Sequence, residues 1–246
     1  VPHVRFAQIG TKGRLVMAEE MKQELSAEEA EQLALVENDR DALSALVDDL
    51  SGHSRRKRQM AAHVMLLVAQ REPELLSEFI PDLIDALYRP EAQTRWEILD
   101  TLTLLVPEHA KEIGAAFDGA EAALFDDLSS ILHFSAFRLL ATWGATERGR
   151  SKKVWPILDE AIQCYHGDLE YRDMLGCLHE FAEGKIEGGV AAELAGRLQF
   201  DAENGSYLKA RSSEIYNMLV KRFKLEKPQK RARMVAKTDE PEDDEE

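Results

Sequence analysis

Residues 75–106 read LLSEFIPDLIDALYRPEAQTRWEILDTLTLLV. Leu75, Leu76, Phe79, Ile80, Leu83, Ile84, Leu87 and Tyr88 fall on one stripe with a period near 3.6 residues. That spacing predicts an amphipathic helix and has no strand-like alternation. Arg89-Pro90 predicts its stop, because proline disfavours helical geometry in the residue before it. A second helix is predicted from about Ala92, with Trp96, Ile98, Leu99, Leu102, Leu105 and Val106 as its apolar positions and Pro107 as its end. Two helices this short bury only part of their apolar surface, so neighbours of the same kind must stack on them.

Weaker copies lie on both sides. Leu46-Val47-Asp48-Asp49-Leu50, Leu83-Ile84-Asp85-Ala86-Leu87 and Leu124-Phe125-Asp126-Asp127-Leu128 repeat one pattern, with starts 37 and 41 residues apart. Phe79-Ile80-Pro81 matches Val154-Trp155-Pro156, 75 residues later, and each proline predicts a kink or a break near a helix start. Arg58, Arg95, His133, Arg172 and Arg211 recur at intervals of 37, 38, 39 and 39, early in each second helix.

The period, the helix-turn-helix unit, the proline of the first helix and the basic residue of the second resemble HEAT repeats or the related armadillo type. The resemblance implies an all-α, right-handed α-α superhelix of about five helix pairs. The expected units span 42–73, 74–109, 110–149, 151–185 and 187–223. The third departs most, carrying Gly114 and Gly119, and the fifth opens with Gly188-Gly189. The resemblance also implies that the second helices line a concave face. Each repeat would then touch mainly its neighbours.

The flanks differ from this body. Residues 1–16 fit no repeat and read as a disordered N-terminal extension. Residues 17–41 form an acidic capping region, and Met17 to Asp49 carries eleven acids against Lys22 and Arg40. Ser26 and Glu29 match a capping box. Residues 224–246 read as a disordered tail, with six basic residues up to Lys237 and seven acids from Thr238 onward.

The net charge is −15, and taking away the tail's −2 leaves −13 on residues 1–223. That charge disfavours nucleic acid, since phosphate binding needs clustered Lys and Arg. It favours a protein partner with a basic segment. No apolar run is long enough for a membrane span, and a cytoplasmic location is the default expectation. Cys164 and Cys177 sit at apolar helical positions and are expected to be reduced core residues. No cofactor or metal motif is present. Lone helical histidines such as His63, His133 and His179 are expected to be packing or surface residues.

Two groups stand out as candidate sites. Arg55, Arg56, Lys57 and Arg58 form a basic cluster at a turn, expected to pair with the acidic N-terminal region or to grip an acidic partner. Glu97, Asp100 and Arg138 are the other candidates for partner contact. Trp96 and Asp100 stand four apart, on one helix face, and Arg138 lies in the next second helix. This arrangement is similar to that of the DNA alkylation repair glycosylases, which are built from HEAT-like repeats. The similarity implies a catalytic set of Trp96, Asp100 and Arg138 in a DNA-facing cleft. Two departures weigh against it. Cys177 stands near where that family has another tryptophan, and the body is acidic where the family needs a positive face. The expected function is therefore a non-enzymatic scaffold binding a protein partner, with base excision as the alternative.

Overall fold

The computed structural model describes residues 27–127, 129–204 and 207–225. The extension 1–16, Ser26 of the expected capping box and the tail beyond Leu225 lie outside the described residues. Every regular element among the described residues is helical. In chain order they are α1 (Ala27–Asn38), α2 (Arg40–Asp49), α3 (Arg55–Arg71), a 3-10 turn (Pro73–Phe79), α4 (Ile80–Ala86) and α5 (Ala92–His109). A second 3-10 turn (Ile113–Ala116) leads into α6 (Phe117–Leu124), α7 (Ser130–Gly144) and α8 (Arg148–Tyr165). Finally come α9 (Tyr171–Glu183), α10 (Gly188–Asn204) and α11 (Lys209–Phe223). No helix among the described residues is long and apolar enough to cross a membrane.

Local chemistry accounts for several boundaries. Ser54 accepts the Lys57 amide at 3.4 Å and opens α3. Asp39 accepts the amides of Asp41 and Ala42 at 2.9 and 3.2 Å and opens α2. The single helix expected over Leu75–Tyr88 is split into a 3-10 turn and α4. Pro73 and Pro81 each sit in the first turn of one piece. Proline suits that position, where its missing N–H is no loss, but it cannot continue an α-helical ladder from the preceding turn. Pro107, expected to end the second helix, lies inside α5, which runs on to His109. Pro156 likewise lies inside α8. In each case the burial of neighbours, Leu105 and Val106 or Trp155 and Leu158, holds the helix together across the proline.

Five of the helices pack in a definite order. α3 lies on α5, α5 on α7, α7 on α9, and α9 on α11. Of the remaining elements, α4 packs on α5, α6 on α7, and α10 lies along α11. α8 packs mainly on α7, the helix before it, and touches α10. The core runs through the whole row: Met65, Ile98, Leu102, Phe137, Leu178 and Ile215 are all fully buried. Each such side chain contributes roughly 1.5–3 kcal/mol relative to exposure.

Side chains staple neighbouring helices along this row. Arg58, the fourth residue of α3, bonds the carboxylate of Glu91 just before α5, its Nε donating to Oε2 at 3.0 Å. Arg95, the fourth residue of α5, bonds Asp126 just before α7 at 2.7 Å. His133, the fourth residue of α7, meets the Asp126 carbonyl through Nε2. Arg222 of α11 donates to the carbonyls of Ala182 and Gly184 at 2.5 and 2.7 Å, at the end of α9. The recurring basic residue at the start of α3 and α5 is thus an internal tie to the next pair.

Candidate functional site

Trp96 and Asp100 lie one turn apart on α5, and Arg138 lies on α7. The structure joins the last two: an Arg138 guanidinium nitrogen pairs with Asp100 Oδ1. Their side chains are only 14% and 16% exposed, so the pair is largely withdrawn from solvent. Trp96 is half-buried and packs against the core. Arg138 also stands 5.7 Å from the centroid of the Phe134 ring, within cation–π range.

Cys177 of α9 lies in the same neighbourhood. Burial pushes its thiol up to about 12, the Arg138 charge opposes that rise, and Glu180, Asp173 and Asp100 add to it. A thiol raised this far is not a nucleophile at neutral pH. The charges felt at Cys177 are therefore one guanidinium and three carboxylates. Asp100 is already paired with Arg138, and Asp173 and Glu180 lie on α9 with Cys177 itself.

Glu97 takes part in a different contact. It is 6% exposed, and its Oε1 meets His63 Nδ1 at 3.0 Å and the Gln93 amide at 3.4 Å. Nε2 of the same histidine stands 3.2 Å from Glu29 of α1. His63 is thus held between two carboxylates from two other helices. The Glu97 hydrogen bond raises its pKa above the usual histidine value, with burial opposing and Glu29 adding to the rise. The Glu97 Oε2 atom is buried with no hydrogen-bond partner among the described residues. Sequence reasoning set His63 aside as a lone helical histidine. The signal that could have found it is its separation from Glu97, 34 residues, close to one repeat.

The basic cluster divides. Arg55 and Arg56 are exposed. Lys57 pairs with Asp49, inside the acidic N-terminal stretch, at 3.1 Å. Arg58 turns to Glu91 and donates to the Gly52 carbonyl at 2.6 Å. Its guanidinium holds the Glu91 carboxyl below the usual carboxylate range. Two of the four cations are therefore occupied within the chain. Of the two cysteines, Cys177 is buried but Cys164 is exposed, which corrects the expectation that both belong to the core. The stripe that suggested burial places Cys164 on the outer side of α8, one residue before Tyr165. Among the described residues, no group of three or more His, Cys, Asp or Glu is arranged to hold a metal ion.

No protein-family model and no curated protein sequence matches the chain. Its fold is similar to the crystal structure of an engineered protein from the Northeast Structural Genomics Consortium, with a TM-score of 0.57 and 13% identity. The match covers 80% of this chain and 88% of that one. At that identity the likeness speaks for the all-helical fold alone.

Proposed function

We propose that the chain is a HEAT-like helical-repeat scaffold that binds a basic segment of a protein partner across the face of α5, α7 and α9. The observation that carries this reading is the placement of two further carboxylates, Asp173 and Glu180, on α9, in the neighbourhood of the Asp100–Arg138 pair that links α5 to α7. The row α3, α5, α7, α9, α11 supports a stacked, superhelical arrangement, because each helix packs on the next in chain order. An extended partner segment suits such a row, and charge complementarity would act mainly on its association rate and selectivity. The test is titration with a labelled basic peptide. Asp173→Asn with Glu180→Gln is expected to weaken binding about tenfold, as for the loss of charge-assisted hydrogen bonds. Unchanged affinity sinks the reading.

A second reading, base excision, rests on the pairing of Asp100 with Arg138, one helical turn from Trp96. A glycosylase carboxylate must stabilise positive charge developing on the sugar. Asp100 would have to give up part of its pairing with Arg138 to do so. Release of a methylated base from duplex DNA, abolished by Asp100→Asn, supports this reading. Absence of release with the unaltered chain rejects it.

A further inference from the structure

A second acidic feature lies at the N-terminal end of α9, where the first turn of α7 faces the connection between α8 and α9. Here an open cavity of about 410 Å³ is lined by His133, Tyr165, Asp168, Leu169 and Glu170, among others. Among the described residues its lining contains no lysine or arginine.

Two aromatic rings in the lining are fixed. His133 and Tyr165 stack with centroids 5.0 Å apart and planes 25° apart. The Tyr165 hydroxyl donates to the Leu124 carbonyl at 2.6 Å, and His133 Nε2 is tied to the Asp126 carbonyl. Both rings are thus anchored to the connection between α6 and α7. The carboxylates are not neutralised: neither Asp168 nor Glu170 has an ion pair among the described residues. Burial raises the Tyr165 phenol pKa first, and Cys164, Asp168 and Asp127 add to the rise. Leu169 completes the rim, 89% exposed between the two acids. Asp168 and Glu170 also stand at the N-terminal end of α9, where negative charge is favoured. That role accounts for the acids but leaves the anchored rings and the exposed leucine unexplained.

We propose that this cavity receives an arginine side chain of the partner's basic segment, its guanidinium meeting the His133–Tyr165 ring pair and the carboxylates of Asp168 and Glu170. The ligand class follows from the lining. A guanidinium is planar, stacks on aromatic rings and donates to more than one carboxylate at once. A lysine ammonium is a strongly hydrated point charge and gains less from the rings. The arginine's aliphatic stem would cover Leu169, as long charged side chains commonly cover apolar surface. The proposal rests on the partner charge inferred above but concerns separate residues.

The experiment uses the full chain and fluorescein-labelled hexa-arginine and hexa-lysine, followed by fluorescence anisotropy at about 0.15 M salt. Hexa-arginine is expected to bind more tightly than hexa-lysine. Asp168→Asn with Glu170→Gln is expected to weaken hexa-arginine about tenfold. The control pair Asp82→Asn with Asp118→Asn removes two exposed charges elsewhere and is expected to change affinity less than about twofold. His133→Ala keeps both carboxylates and is expected to erase the preference for arginine, with circular dichroism confirming the fold. Equal losses from the cavity and control pairs, or an arginine preference that survives His133→Ala, overturn the proposal. Binding that ignores the cavity pair but falls with Asp173→Asn and Glu180→Gln rejects the cavity alone. The reverse pattern rejects the α5–α7–α9 face and keeps the cavity. No binding of either peptide rejects both.

Discussion

His63 joins three helices through one ring: it sits on α3 and meets Glu97 of α5 and Glu29 of α1. Its folded pKa lies above 6.5, the value it takes without partners. Its stabilising contribution is therefore complete below about 6.5 and is lost as the pH rises through the folded value. His63→Gln is expected to lower the melting temperature at pH 6 and to have little effect at pH 9, as read by thermal melts at both pH values. The same residue shows what a single sequence hides. The carboxylates that define its role come from elements 34 residues on either side, and no local pattern announces them. Asp100 and Arg138 are a contrasting case. Both stood out because of a resemblance, and the structure places them in contact. Asp100→Ala leaves the Arg138 charge mostly buried without this partner. It is expected to cost about 2–3 kcal/mol in urea unfolding, the upper part of what charged hydrogen bonds supply. Asp100→Asn keeps the shape and should cost less.

At the scale of elements, the second helices were more legible than the first. α5 and α7 carry long apolar stripes and a basic residue in phase, so their periodicity is read directly. The first elements are interrupted, by Pro73 and Pro81 in one pair and by the 3-10 turn at Ile113–Ala116 in the next. Apolar spacing alone does not reveal whether such a stretch is one helix or two pieces, because both bury the same side chains. The pairing of α8 was hidden for a similar reason. Its stripe says that it is buried, but not that α7 is the helix it mainly packs on. Close approaches also escape a sequence reading. Gly184 ends α9 against Ala145, just past the end of α7. A Cβ at Gly184 would lie 2.5 Å from the Ala145 Cβ and 2.6 Å from its carbonyl oxygen. The Lys185 amide donates to that same carbonyl at 2.6 Å, so the backbone has little room to yield. Gly184→Ala is expected to destabilise by roughly 1–3 kcal/mol, the usual cost of overpacking, measurable as a lower urea midpoint.

At the scale of the whole molecule, the ordering of contacts makes a prediction about how stability is distributed. In a row where each helix packs on the next, interior pairs have two neighbours and terminal ones have a single neighbour. Hydrogen exchange should therefore be slowest in α5 and α7 and faster in α1, α2 and α11. Uniform protection across all these helices would contradict the stacked arrangement. Net charge was legible from composition, but its placement was not. Sequence counting shows an acidic body, while folding brings Asp100 of α5 to the same neighbourhood as Asp173 and Glu180 of α9, around Cys177. The two thiols have a practical consequence of their own. Cys177 is sealed in the core and Cys164 is open to solvent beside Tyr165. A maleimide dye applied to the folded chain would attach next to the cavity and serve as a native reporter of its occupancy, with no residue altered to install it.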